Sequence, residues 1–150
     1  MTETHTQLEP TFSIVAQGIR DLSFENQIGF GTNISEQPEI NININANGKK
    51  IDDETYEVML MINVEAKQED KPLFLIELQY VGLCQIENVP DEMLAGLLMI
   101  QTPTLLFPYA RQILSDVTSN AGFPPLFLQP VDFAALYHNQ QANVGVVGNA

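Results

Sequence analysis

Side chains able to do chemistry are few in this chain and poorly placed for one another. The imidazoles are His5 and His138, near opposite ends of 150 residues, and the single thiol is Cys84. A metal site needs three or four such donors converging, so none is expected. Cys84 has no obvious histidine partner and reads as a small hydrophobe. Gly29-Phe30-Gly31 is too short to cradle a phosphate, and neither G-x-x-x-x-G-K-[ST] nor G-x-G-x-x-G occurs. Asp52-Asp53-Glu54 lacks the alternating oxygen ligands of a calcium loop and reads as a solvated turn. Carboxylates paired for acid–base work would have to come from a flat strand face, where no cleft tunes their proton affinity. The expectation is a protein that is no enzyme and holds neither metal nor cofactor.

Binding is then what the residues have to offer. Six Lys+Arg against 19 Asp+Glu give a net charge of −13. Neutralising phosphate takes clustered cations, so nucleic acid is excluded as a partner and an anionic membrane surface is disfavoured. A basic protein partner fits the charge, which would steer its approach. A hydrophobic content of 45% with 17% charged residues describes one globular domain spanning 1–150. One cysteine permits no intrachain disulfide. "MTETHTQLEP" has neither the cationic start nor the apolar run of a signal peptide. The longest apolar stretch is interrupted by Gly96, Gln101 and Pro103, so no bilayer span is expected and the expected location is the cytoplasm.

The elements that position these groups follow from hydrophobic period. Four segments alternate with period two. In "FSIVAQGIRDLSFEN", Phe12, Ile14 and Ala16 alternate, Gly18 suggests a bulge, and Arg20, Leu22 and Phe24 then oppose Asp21, Ser23 and Glu25. Ile40, Ile42 and Ile44 alternate with asparagines until Asn47-Gly48, read as a turn. "TYEVMLMINVEAK" sets Tyr56, Val58, Leu60, Ile62 and Val64 against Glu57, Met59, Met61, Asn63 and Glu65. After a turn at Gln68–Pro72, Phe74, Ile76, Leu78 and Tyr80 oppose Leu75, Glu77 and Gln79. Residues 27–38, with two glycines and a closing proline, form a long crossing loop carrying Ile28, Phe30 and Ile34. One sheet face is therefore apolar, and the other gathers Asp21, Glu25, Asn41, Asn43, Glu57, Glu65, Glu77 and Gln79.

From Val89 the period changes to 3.6. Pro90, Asp91 and Glu92 start a helix that runs to Pro103. "LLFPYARQILSDV" continues at helical spacing to Val117, but Pro108 lies within it and is expected to begin a separate piece. A Gly/Pro-rich connector follows, and Asp132 caps a last helix from Phe133 to about Gln141. The tails 1–10 and 142–150 are expected to be mobile. The fold class is α+β: a four-stranded antiparallel sheet, a long broken helix and a short C-terminal helix. Leu97, Leu98, Met99 and Ile100 are consecutive, and a helix apolar all round must be covered on both sides. One sheet covers one side only, so a second subunit is expected on the other.

"RDLSFEN" (20–26), "FLIELQYVG" (74–82), "LFPYARQIL" (106–114) and "GFPPLFLQPVDFAALY" (122–137) resemble SecB, the bacterial protein-export chaperone family, in order and over nearly the whole chain. The resemblance implies a cytosolic homotetramer, a dimer of dimers, with helices between two outward-facing sheets. It implies a chaperone that keeps secretory precursors unfolded without ATP and delivers them to the motor SecA. SecA's basic, zinc-bearing C-terminal segment would dock on the acidic sheet face, at Asp21, Glu25, Leu75 and Glu77; the zinc is the partner's. Ile76, Leu78 and Tyr80 match positions that influence tetramer assembly, with Tyr80 larger than the residue relatives often carry. Tyr109 and Arg111 are expected at the subunit interface. The client groove would comprise Ile28, Phe30, Leu126, Phe127, Phe133 and Tyr137, with Phe30 replacing a tryptophan of some relatives. The neutral tail offers little for the auxiliary SecA contact of the family's C-terminus. Two alternatives remain: a SecB-like chaperone of a toxin–antitoxin pair, and a small-ligand carrier with an apolar cavity.

Overall fold

The computed structural model describes residues 9–34 and 37–142. The expected mobile tails therefore fall, apart from Glu9, Pro10 and Ala142, outside the described residues. Four strands form one antiparallel sheet: β1 (Thr11–Asn26), β2 (Glu39–Lys50), β3 (Thr55–Gln68) and β4 (Lys71–Glu87). Their order is β1-β4-β3-β2, so β1 and β2 occupy opposite edges. Residues 27–38 must therefore pass across the whole sheet, and the crossing loop expected from composition has that role.

Period-two alternation produces the core directly. Val58, Leu60, Ile62 and Val64 on β3 and Ile76 on β4 are fully buried, and Leu78 nearly so. Burying each such side chain contributes about 1.5–3 kcal/mol. The layer above them comes from helix α1 (Asp91–Asn120), 30 residues long, whose Leu106, Ala110 and Leu114 are also fully buried. Helix α2 (Phe133–Ala142) follows the connector.

Three expectations about breaks need correction. First, α1 is continuous through Pro103 and Pro108. In place of a break, Leu97–Gln101 forms a π-turn, in which the Thr102 N–H reaches back to the Leu97 carbonyl. The Thr102 hydroxyl donates to that same carbonyl at 2.7 Å. A wider turn just before Pro103 accommodates a residue with no N–H to give and a ring that crowds the preceding turn. Pro108 leaves the Thr104 carbonyl without its helical partner, but both residues are on the exposed flank, where water can serve that oxygen. Continuity also removes the interruptions on which the expectation about spans rested. Over an 18-residue window α1 reaches a mean hydropathy of 1.3, so one helix is long and apolar enough to cross a membrane by length and composition.

Second, β2 does not turn at Asn47-Gly48. It continues to Lys50, with Gly48 paired to Val58. A Cβ at Gly48 would lie 3.5 Å from Leu98 Cβ, an ordinary van der Waals contact, so the π-turn packs directly over this position of β2. The hairpin turn is Ile51–Glu54, where Asp52 Oδ1 accepts the Glu54 N–H at 3.0 Å. That bond chiefly holds the Asp52 carboxyl below its ordinary value, and the acidic run is the solvated turn expected. The β3–β4 turn shortens to Glu69 and Asp70, both with positive φ (51° and 67°), as a two-residue hairpin of the right twist requires.

Third, the bulges of β1 lie on either side of Gly18, at the register shifts Ile14/Ala16 and Ile19/Asp21. The second bulge moves Arg20 off the apolar face. Its Nη1 instead sits 3.3 Å from Glu57 Oε1 on the outer one.

Cys84 is fully buried, 3.6 Å from the Thr102 hydroxyl. Burial pushes its thiol up from the ordinary value, with the hydroxyl contact opposing. Gly82, on the same inward face, marks the closest approach of α1, because a Cβ there would be 2.9 Å from Leu106 Cδ2. Leu106 is fully buried and has little room to yield. Gly82→Val is expected to lower stability by about 1–3 kcal/mol, read from the urea midpoint. Leu106→Ala in the Gly82→Val background should recover part of that loss, whereas additive losses would place the cost elsewhere.

Candidate functional site

The outer face of the sheet is built by alternation on four strands. Asp21, Ser23 and Glu25 of β1 pair with Gln79, Glu77 and Leu75 of β4. Across β4, Leu75 and Glu77 pair with Glu65 and Asn63 of β3, which in turn oppose Asn41 and Asn43 of β2. Directly opposed side chains on a sheet lie about 5 Å apart. The four residues expected to meet the motor, Asp21, Glu25, Leu75 and Glu77, are thus brought together on neighbouring strands. Beside them is a shallow depression of about 440 Å³, bordered by Asn41, Asn43, Asn63, Glu65, Leu75 and Glu77. The cation near it is Lys67, 3.9 Å from Glu65. Carboxylates around one half-buried leucine suit a basic segment carrying an apolar side chain.

The other expected site lies at the end of the helical layer. The connector is held by a helix stop that the sequence signals through Gly122. There φ is +93°, and the Phe123 and Gly122 amides bond back to the Thr118 and Ser119 carbonyls at 3.0 and 3.1 Å. Thr118, fully buried, accepts the Leu126 N–H on its hydroxyl at 2.9 Å. Asp132 Oδ1 accepts the Ala135 N–H at 3.0 Å and caps α2, as expected. This scaffold displays Phe127 at 68% exposure, and the crossing loop displays Phe30 at 86%. Ile28 and Leu126 are half-buried beside the core, and Tyr137 is half-buried on α2. Phe133 is different: it is 2% exposed and meets Phe107 edge-on at 6.0 Å, so it supports the surface from inside.

The expected interface residues also divide. Ile76 and Leu78 are core residues under α1. Tyr80 receives the Gln17 amide on its hydroxyl at 2.8 Å and stacks on Tyr109 at 6.4 Å. Tyr109 is 56% exposed. Arg111 turns the other way, its guanidinium carbon 5.7 Å from the Phe107 ring centre and 5.6 Å from that of Phe127. Leu97–Ile100 are only half-buried, and a groove of about 240 Å³ runs along Met93, Gly96, Leu97 and Ile100. Sequence reasoning missed Thr118 and the Arg111 contacts; helical spacing alone would have put Thr118 beside Leu114.

The model of the family described as preprotein translocase subunit SecB matches residues 5–144. The chain belongs to the SecB family. It is 43% identical over 136 residues to the protein-export protein SecB of Bartonella quintana, covering 89% of this chain and 86% of that one. The SecB of Afipia carboxidovorans is 46% identical over 136 residues (89% and 84%). That of Chromobacterium violaceum is 40% identical over 145 residues (96% and 97%). Among solved structures, a SecB-like chaperone of Mycobacterium tuberculosis, in complex with a peptide of the HigA1 antitoxin, aligns with a TM-score of 0.67. It shares 13% identity, over 80% of this chain and 90% of that one. That likeness is one of fold. Family membership makes this chain a protein-export chaperone, a role that needs surfaces for other proteins and no catalytic centre.

Thr118→Val keeps the side-chain shape but leaves the Leu126 amide unpaired. It should cost about 1–3 kcal/mol in chemical unfolding and raise hydrogen exchange at Leu126 and Phe127 amides above that of the β3 amides. Unchanged exchange at the connector would show that the hydroxyl does not hold it.

Proposed function

We propose that this member of the family works as a cytoplasmic homotetramer, binding unfolded secretory precursors on its apolar grooves and SecA on its acidic sheet face, without ATP. One observation carries the reading: the two kinds of surface are segregated on opposite sides of one sheet. Asp21, Glu25, Leu75 and Glu77 share the outer face, while α1, Phe30 and Phe127 lie beyond the inner one.

Each half has a physical mechanism. The carboxylates and the half-buried Leu75 recognise a basic docking segment, whose charge also speeds encounter. Apolar grooves bind unfolded chains by non-directional burial, at about 25 cal/mol per Å² removed from water. Several copies of a weak groove on one assembly hold a long client by effective concentration. The half-buried apolar side of α1, with Tyr109, supplies what subunits bury against one another, giving two helical layers between two sheets. A cytoplasmic protein could not leave that side uncovered.

The competing readings lose ground on particular observations. A small-ligand carrier would keep its cargo between sheet and helix, but Leu60, Ile62, Ile76, Leu106 and Leu114 fill that layer at 0% exposure. The toxin–antitoxin role belongs to a neighbour of 13% identity, while the relatives at 40–46% identity are export proteins.

Light scattering after size exclusion is expected to give a mass near four times the 16.7 kDa chain, shifting by one precursor when a permanently unfolded one is added. A monomer indifferent to the precursor would sink the proposal. Asp21→Ala with Glu25→Ala should weaken SecA binding about tenfold and flatten its salt dependence, as loss of two exposed charge pairs implies, with precursor binding unchanged. Equal loss of both would contradict the division between faces.

A further inference from the structure

Arg111 is in an unusual position for a cation in a chain of net charge −13. Arg20, Lys50 and Lys67 each have a carboxylate within 4 Å, while Lys49 and Lys71 are exposed to water without such a pair among the described residues. Among the described residues Arg111 has none, and Asp116, the next acid along its helix, is bonded by Gln112 at 2.9 Å. The guanidinium lies instead between two rings, 5.7 Å from the centre of Phe107 and 5.6 Å from that of Phe127. Phe107 continues inward to Phe133 at 6.0 Å. A single stack thus runs Phe133–Phe107–Arg111–Phe127, from rings 2% and 4% exposed to one 68% exposed. It joins α2, α1 and the connector. Guanidinium suits this place because it is planar, always charged and weakly hydrated, so both its faces can meet aromatic rings.

We infer that Arg111 is a positioning residue for the client surface, holding Phe127 as a preset apolar platform for unfolded segments. The inference rests on the chaperone reading of Phe127 and extends it. An exposed phenylalanine on a connector would otherwise sample several rotamers and lose that freedom whenever a client bound. With one side against Arg111, and Arg111 against a buried ring, the free side of Phe127 is aimed before the client arrives. Apolar and aromatic client side chains are the ligand class this platform takes. Arg111 acts through Phe127 here, which differs from the expectation that it serves a subunit interface.

A double-mutant cycle in affinity separates these roles. Arg111→Met keeps the aliphatic stem and removes the cation, Phe127→Leu removes the ring, and the pair is combined in one chain. Affinity for a permanently unfolded precursor is measured with mass by light scattering alongside. Each single change is expected to weaken binding about threefold, as loss of one cation–ring contact implies, with mass unchanged. The double variant should bind no more weakly than Phe127→Leu, and Arg111→Lys should recover part of the loss. Losses that multiply, or a fall in mass for Arg111→Met, would overturn the inference and leave the chaperone reading intact. A wild-type chain that binds no precursor would overturn both. Should Arg111→Met fail to fold, the same cycle with Arg111→Gln separates coupled from multiplying losses in the same way.

Discussion

Helix α1 rests one side on a single sheet and, among the described residues, leaves part of its other side open to solvent. Of its most apolar 18 residues a third are buried within the chain and the rest are not. Soluble helices of this length normally hide one stripe and wet the other. Here Met93, Leu105 and Tyr109 fall outside the stripe that the sheet covers, at 57%, 49% and 56% exposure. Apolar area of that kind is stable in water only when something occupies it. In the proposed reading, oligomer and client contacts would fall on different parts of the helical layer. The middle of α1 is bare helix, suited to another helix by ridge-and-groove packing. Its C-terminal end is overlaid by the connector and crossing loop, whose Phe127 and Phe30 offer separated aromatic contacts suited to an irregular chain.

The sheet makes this division possible because its side chains alternate strictly. On β4, Leu75, Glu77 and Gln79 face outwards, and Ile76, Leu78 and Tyr80 face α1. An outward-facing residue and a helix-facing one are therefore adjacent along this stretch. Either face can be altered without changing the register of the other, since the register is held by twelve paired residues of β2 and fourteen of β3. The alternation also explains why carboxylates can be concentrated on the outer face. They point into water from a face that contributes no core, so the folding cost of their mutual repulsion is screened by salt.

Much of this was legible in sequence. Period-two runs located all four strands, the length of 27–38 identified a crossing connection, and alternation turned Asp21, Glu25, Leu75 and Glu77 outward, while the resemblance singled them out. What was not legible depended on partners distant in the chain. Gly48 reads as a turn residue until its pairing with Val58 and the packing of Leu98 over it are seen. Arg20 reads as inward until the bulge at Ile19/Asp21 lets it reach Glu57, 37 residues away. Pro103 and Pro108 read as breaks because local rules count a lost hydrogen bond, whereas the tertiary structure supplies a π-turn and an exposed flank. Phe133 was assigned to a surface because its neighbours in sequence are, while its ring is drawn inward to Phe107.

A chaperone without an energy source must bind tightly enough to hold and loosely enough to release. Deep pockets would defeat the second requirement, since each well-buried anchor slows dissociation. The surfaces here are shallow: rings projecting from a connector and a loop, and a depression on a flat sheet. Affinity is then built by number, with one long client spanning several grooves, and lost stepwise as the motor draws that client away. Rigidity in each groove matters more in such a scheme than depth, because an ordering cost recurs at every site a client touches. A connector locked by Thr118, closed by the Gly122 helix stop and braced through Arg111 reduces that cost. The polar and aromatic contacts around residues 118–127 therefore order the helix end on which the proposed client surface stands.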